Sequence, residues 1–194
     1  MAVRLPAPRR RRQLLDVALD VFGRHGYHQS SMDDVAEAAG VTKPVLYQHF
    51  GSKRELFLEL LNDVGTQIMD EVVLATANAS GPRQQVEAGF AAYFGFVASH
   101  ATAFQLLFGG ARESDEEFVR VTRNVQEAMA NAVAALITAD IDDEHRSLLA
   151  HGVVGLAEGT SRHWVSHDLD LDPDRLAARV ADLAWAGLRG VRPR

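Results

Sequence analysis

Helix start and stop signals are dense between residues 31 and 53, and they constrain the fold more than any other feature of the sequence. Ser31 followed by Asp34 is typical of a capping box, in which a hydroxyl and a carboxylate accept hydrogen bonds from the first free amides of a helix. Gly40 can adopt the left-handed conformation that ends a helix at low cost. The sequence therefore predicts a short helix after Ser31 and a turn at Gly40 and Val41.

A second short helix is predicted directly after that turn. Thr42 is placed to cap it, and Pro44 fits its first turn because the amide that proline lacks would have no partner there. Gly51 ends this helix, and Ser52 with Glu55 repeats the capping-box spacing for a third one. Two helices joined by a tight turn are typical of a helix-turn-helix, which places its second helix in the DNA major groove.

The helix from Thr42 to Phe50 has a buried and an exposed side, separated by a rotation of about 100° per residue. Leu46 and Phe50 fix the buried side, and Pro44 and Gln48 lie opposite them. Gln48 suits a base edge, and Pro44 suits a thymine methyl group. Other side chains of this region suit a thymine methyl, a guanine or phosphate oxygens: Val45, Lys43, Tyr47, His49 and Lys53.

Helix-turn-helix geometry also occurs as plain helical packing, so the preceding residues have to decide between the two interpretations. Residues 13–27 are predicted to form an amphipathic helix that Gly26 closes, with Leu14, Ala18, Val21 and Phe22 on one side. This helix and the two that follow make an ordered set of three.

The ordered set resembles the amino-terminal domain of the tetracycline-repressor (TetR) family of bacterial transcription regulators. The segments that carry the resemblance are Leu15–Phe22, Gly26-Tyr27 and Ser31–Phe57. The resemblance covers about a quarter of the chain, from near Gln13 to about Leu61, and the remainder is similar to the family in length, helical character and chain order.

The resemblance implies that Ser31 touches a DNA phosphate and that eight further positions lie against DNA: Thr42, Lys43, Pro44, Val45, Tyr47, Gln48, His49 and Lys53. Base-reading positions vary among members of the family, so Val45 and Gln48 are candidate readers without assigned target bases.

Charge is divided unevenly along the chain. Residues 1–55 hold nine Lys or Arg against six Asp or Glu, whereas residues 56–194 hold eleven against twenty. A basic head on an acidic remainder favours one orientation on nucleic acid. Residues 1–12 contain five arginines and two prolines, and we expect a disordered basic arm that contacts phosphates, or else a solubilising tail.

Several classes of protein are disfavoured by composition. The chain has no cysteine, no secretion signal and no apolar run long enough to cross a bilayer, so a cytoplasmic protein is expected. His163 and His167, with His151 further back, form too weak a pattern to predict a metal site. No cofactor is expected, and no nucleophile–base pair or phosphate-cradling loop predicts an enzyme.

The remainder is predicted to be all-α, which gives a helix-turn-helix DNA-binding domain at residues 13–55 and a ligand-binding and dimerisation domain at residues 56–194. Apolar stripes at helical spacing include Phe57, Leu60, Leu61, Val64 and Ile68. Small residues in the segments 143–166 and 172–189 let helices approach closely, and in TetR proteins the last two long helices form the homodimer interface.

Aromatic residues concentrate in the middle of this second domain. Most are expected to pack in the core, and a minority to line a cavity for an apolar or amphipathic effector. The candidates are Phe90, Tyr93, Phe94, Phe104, Phe108, Phe118, His151 and Trp164, with Gln105 and Arg112 as further polar anchors.

We therefore predict a homodimeric repressor that binds a palindromic operator and is released by a small effector. A helical enzyme or carrier with an accessory basic head is one alternative, and a nonspecific architectural DNA protein is another. A discrete footprint on DNA distinguishes the regulator from the architectural protein.

Overall fold

A computed structural model describes residues 6–109 and 115–191 of the chain. The described residues contain helices and no strand. In chain order the helices are α1 (Ala7–Gln29), α2 (Met32–Ala38), α3 (Lys43–Tyr47), α4 (Lys53–Ala77), α5 (Pro82–Ser99), α6 (Ala101–Phe108), α7 (Glu116–Leu136), α8 (Asp143–Ser166) and α9 (Pro173–Leu188). The predicted all-α fold is confirmed.

The local signals between residues 31 and 53 act as predicted except at three points: the Thr42 side chain makes no capping hydrogen bond, α3 ends at Tyr47 instead of Phe50, and Glu55 accepts from a different amide. Ser31 and Asp34 form a complete capping box at the start of α2, and Gly40 has a φ of 63° in the turn before α3. Ser52 accepts a hydrogen bond from the Glu55 amide at the start of α4. The Glu55 carboxylate, however, accepts from the amide of Gly51.

The predicted disordered arm is wrong for residues 7–12, because α1 begins at Ala7. Arg11 and Arg12 lie against the start of α4, where they pair with Glu59 and Asp63. These carboxylates are about fifty residues away in sequence, so the local composition could not reveal them. Residues 1–5 of the arm lie outside the described residues.

Helices α1 to α3 and the first turns of α4 form the head, and α4 to α9 form the body. Leu14, Phe22, Val35 and Leu46 are fully buried in the head core. Because α4 is continuous from Lys53 to Ala77, the predicted boundary between residues 55 and 56 falls inside one helix. The stripe from Phe57 to Ile68 along α4 is buried as predicted.

Aromatic side chains join the head to the body. The Tyr27 ring of α1 lies 5.0 Å from the Phe118 ring of α7, and the Phe57 ring lies 4.8 Å from it. Arg54 at the start of α4 pairs with Asp115 and Glu117 beside this cluster. We call Tyr27, Phe57 and Phe118 the junction cluster.

Candidate nucleic-acid interface and internal cavity

Helix α3 presents a well-defined outer face. Leu46 and Phe50 are completely buried, so they fix the rotation of the helix. Pro44 and Gln48 are exposed on the opposite side, and Tyr47 keeps 43% of its surface accessible. The flanking Val45 and His49 are half-buried. A short helix held from below by two apolar side chains can present this polar and apolar face to a groove.

Thr42 and Lys43 lie at the amino-terminal end of α3. Thr42 occupies the N-cap position, although its side chain makes no capping hydrogen bond, so its hydroxyl can turn toward an outside acceptor. Lys43 lies 2.9 Å from a carboxylate oxygen of Asp33, and this contact raises the pKa of Lys43. Both side chains are exposed, so a DNA phosphate can replace Asp33 as the partner of Lys43.

Ser31 lies exposed at the start of α2. Its hydroxyl accepts from the Asp34 amide and donates to the Asp34 carboxylate, and its own amide donates to the same carboxylate. These hydrogen bonds from Ser31 lower the pKa of Asp34. A phosphate at this helix end would compete with the Asp34 carboxylate for the amide and the hydroxyl of Ser31.

Lys53 points inward in the structure. Its ammonium group donates to the carbonyl oxygens of Tyr27 at 2.8 Å and Ser30 at 2.9 Å, and it lies 4.3 Å from the centre of the Tyr27 ring. The side chain therefore closes the carboxyl end of α1. Its predicted contact with DNA stays a prediction, since one ammonium hydrogen is still available.

Arg11 is a residue that the sequence analysis did not select. Its guanidinium donates to Glu59 of α4 and to the His49 carbonyl, and it lies 4.4 Å from the centre of the Phe50 ring. Arg11 thus fixes the residues that follow the carboxyl end of α3. In the sequence, the spacing of Arg11 with Leu15, Ala18 and Phe22 could have indicated that Arg11 lies on the buried face of α1.

A cavity of about 570 Å³ lies in the body between α4, α5, α7, α8 and α9. Its walls are mainly aliphatic, with contributions from Val72, Val86, Met129, Val133 and Leu136. Its size and apolar lining are typical of small-molecule sites. Burial raises the pKa of the Tyr93 hydroxyl, so this wall residue stays uncharged.

The aromatic residues predicted to line a cavity lie in several places. Phe90 and Tyr93 line it. Phe94, Phe104 and Phe108 are buried elsewhere in the core, Phe118 belongs to the junction cluster, and Trp164 packs near Phe94. Of the described residues, those that line the cavity include none of these five.

Two of the predicted polar anchors, Gln105 and His151, are not among the described residues that line the cavity. Gln105 is exposed on α6, and Arg112 lies outside the described residues. His151 is exposed, and its pKa is raised by the Ser147 carbonyl and by nearby Glu127. His163 and His167 approach each other to 4.4 Å between ring centres, and no third candidate ligand joins them in the described part of the chain.

Two family models match the chain. One, described as bacterial regulatory proteins of the tetR family, matches residues 14–60; the other, described as a tetracyclin repressor-like C-terminal domain, matches residues 82–187. The chain belongs to the TetR family. It is a DNA-binding transcription regulator and not an enzyme.

Individual members of the TetR family align over most of the chain. The HTH-type transcriptional activator FasR of Mycolicibacterium smegmatis is 35% identical over 190 residues, which cover 97% of this chain and 87% of that protein. A TetR-like regulator from Rhodococcus sp. RHA1 superposes with a TM-score of 0.78 at 30% identity, over 97% of this chain and 100% of that one.

A more distant solved structure shares the fold alone. FadR of Bacillus subtilis in complex with stearoyl-CoA superposes with a TM-score of 0.80 at 19% identity, over 93% of this chain and 99% of that one. None of the single helices described here is long and apolar enough to cross a membrane; α5 and α6 pass that test only as a pair bent by 100°.

Proposed function

We propose that the chain is a cytoplasmic homodimeric repressor that binds a palindromic operator and is released by a small apolar or amphipathic effector. The observation that carries the proposal is the outer face of α3, where Pro44, Tyr47 and Gln48 are exposed opposite the buried Leu46 and Phe50. Thr42, Lys43, Val45, Tyr47, Gln48 and His49 would meet DNA in the major groove, with Ser31 at a phosphate.

Helices α8 and α9 provide the surface for dimerisation. Gly152, Gly155 and Gly159 have open space where a side chain would project, so a partner helix can approach closely. Leu148 and Leu183 are 65% and 63% exposed, and a dimer would bury them. Two-fold symmetry presents two recognition helices at successive turns of DNA, about 34 Å apart.

Effector binding would act through two helices that reach from the head to the cavity. Phe57 of α4 and Phe118 of α7 lie in the junction cluster, whereas Val72 and Val73 of α4 and Leu136 of α7 line the cavity. An effector that fits better when these helices are displaced would change the spacing of the recognition helices. Only such a difference in affinity between the two arrangements can move the equilibrium.

A selection of binding sites from random DNA, followed by footprinting, tests the proposal. We expect a discrete protected site with two-fold symmetry. As the effector we would test a fatty-acyl compound, because the similar FadR structure holds stearoyl-CoA, and we expect it to displace the protein from this site. Uniform coverage of DNA would contradict it and favour an architectural protein.

A matched pair of substitutions tests the effector site. Ala132→Phe fills the cavity, because Ala132 lines it, whereas Ala91 is exposed on α5 and is not among the lining residues described. The first variant should keep DNA binding and lose displacement by the acyl compound, and Ala91→Phe should keep both. Displacement that survives Ala132→Phe would place the effector elsewhere.

Activation of transcription is a second candidate, because the FasR relative is named an activator. Repression and activation both need DNA binding and release by the effector. They differ in where the operator lies relative to the promoter. A reporter assay with the selected operator upstream of, or overlapping, a promoter distinguishes them.

A further inference from the structure

The cavity has a closed end and an open end. Tyr93, Val154 and Ala157 at the closed end are buried. The exposed lining residues come from the carboxyl end of α4, the start of α5, the carboxyl end of α7 with the residues that follow it, and the end of α9: Val73, Ala77, Pro82, Ala135, Thr138 and Arg189. These exposed residues form the mouth.

Arg189 is the sole residue with a charged side chain among the described residues that line the cavity. It is exposed at the carboxyl end of α9. No carboxylate in the described part of the chain pairs with its guanidinium, whereas nearby Arg83 pairs with Glu87 and Asp182. A guanidinium that has no carboxylate partner among the described residues, at the edge of an apolar cavity, is available to an outside anion.

From this arrangement we infer that the effector is an anionic amphiphile, whose apolar chain fills the cavity and whose acidic head group is held by Arg189 at the mouth. The inference rests on the proposed effector site and adds to it a head-group charge, an orientation and a contact residue. A carboxylate and the phosphates of an acyl thioester share the required chemistry, since guanidinium binds both with paired hydrogen bonds.

The helix ends at the mouth do not determine the sign of the ligand charge by themselves. The amino-terminal end of α5 at Pro82 favours an anion, whereas the carboxyl ends of α4, α7 and α9 disfavour one. On balance these helix ends disfavour an anion, although each contributes less than a direct hydrogen bond from a guanidinium. An anionic head group is therefore expected only where it contacts Arg189 directly.

The reversed orientation, with the head group at the closed end, would be costly. Tyr93, Val154 and Ala157 there provide no cation. The carboxylate of Glu158 is buried one position beyond Ala157, and the guanidinium of Arg162 already pairs with it. An anionic head group placed beside them would lose its water without gaining a counter-charge. The apolar chain, by contrast, gains affinity there at about fourfold per buried methylene.

Calorimetric titration with dodecanoate, dodecanoyl-CoA and the uncharged dodecanol tests the inference. The proteins are the wild type, Arg189→Gln and the control Arg123→Gln, in which an exposed arginine of α7 outside the cavity lining undergoes the same change. We expect the wild type to bind at least one anionic compound about tenfold more tightly than dodecanol. Arg189→Gln should lose that preference, and Arg123→Gln should keep it.

The pattern of loss identifies the source of the head group. A preference for dodecanoate that disappears in Arg189→Gln indicates a carboxylate, and one confined to dodecanoyl-CoA indicates phosphates; both support the inference. Added salt should weaken the same preference, because Arg189 is exposed.

Other outcomes would overturn the inference, and they differ in whether the proposed effector site fails with it. Equal binding of dodecanol and the anionic compounds, or unchanged preference in Arg189→Gln, would remove the role of Arg189 and leave the cavity as the effector site. Binding of none of the three compounds by folded wild type that binds DNA would overturn both the inference and the proposed acyl effector.

Discussion

At the scale of single residues, intramolecular partners decide which cations of the head are available to DNA. Lys43 and Lys53 are the two lysines of the chain, and the sequence pattern predicts a DNA contact for both. Lys43 has one exposed partner, Asp33. The Lys53 ammonium group donates to two backbone carbonyls and lies over an aromatic ring. Its removal therefore affects stability as well as any DNA contact.

Replacing each lysine by methionine separates these roles. Lys53→Met should lower the free energy of unfolding by about 1–2 kcal/mol, because two carbonyl acceptors at the end of α1 lose a charged donor. Lys43→Met should leave stability unchanged and weaken DNA binding at all sequences, with a smaller dependence on salt. Urea unfolding and DNA titration at several salt concentrations measure both effects. Equal stability of the two variants would contradict the inward position of Lys53.

Asp34 should make stability sensitive to acid. Its pKa is lowered by the hydrogen bonds from Ser31, so its contribution is present at neutral pH and is lost as the pH falls through the folded-state pKa, below the ordinary value of about 3.9. Wild type should therefore be more stable than Asp34→Asn at pH 7, and the gap should close on acidification. Urea unfolding across this pH range measures the gap, and a gap independent of pH would argue against the capping role.

At the scale of helices, the sequence predicted the features that depend on neighbouring residues. It did not predict contacts between residues that are distant in the chain. Ser31, Gly40 and Ser52 predicted the helix boundaries because caps and left-handed turns involve neighbouring residues. The start of α1 could not be predicted, since Arg11 finds Glu59 only after folding. For the same reason Phe118, predicted as a cavity residue, lies instead in the junction cluster.

The junction cluster, rather than the ion pairs beside it, should hold the head on the body. Phe118→Ala removes a buried ring and its contacts with Tyr27 and Phe57, and it should cost about 3–5 kcal/mol. Arg54→Gln breaks two partly exposed ion pairs and should cost less than about 1 kcal/mol. Chemical denaturation monitored by circular dichroism compares the two variants. A larger loss in Arg54→Gln would reverse this order.

At the scale of the whole molecule, the sequence predicted the apolar stripes of the body but not where the cavity lies. Met129 and Leu136 belong to an apolar stripe of α7 that also contains Val125. Val125 packs against Gly65 of α4, whereas Met129 and Leu136 line the cavity. The difference depends on which residues of the neighbouring helices lie opposite, and no residue type encodes that by itself.

Dimerisation through α9 should depend on Leu183. Leu183→Glu places a charge where a partner helix would pack, so sedimentation should show a monomer, whereas wild type should be a dimer. Leu74→Glu is the matched control, because Leu74 is 66% exposed on α4 and Leu183 is 63% exposed. Monomeric wild type at micromolar concentration, or dissociation by Leu74→Glu alone, would count against this interface.

The most direct measurement is the affinity of the selected operator for wild type, Tyr47→Ala and Gln48→Ala, each verified as folded. Tyr47 at the end of α3 and Gln48 at its carboxyl-terminal cap are both exposed, so each change should cost little stability. We expect Tyr47→Ala to weaken binding at least tenfold, and Gln48→Ala to cost about 1–3 kcal/mol with relaxed preference at one base pair of each half-site. Unchanged operator affinity in both variants would contradict the assignment of α3 as the recognition helix.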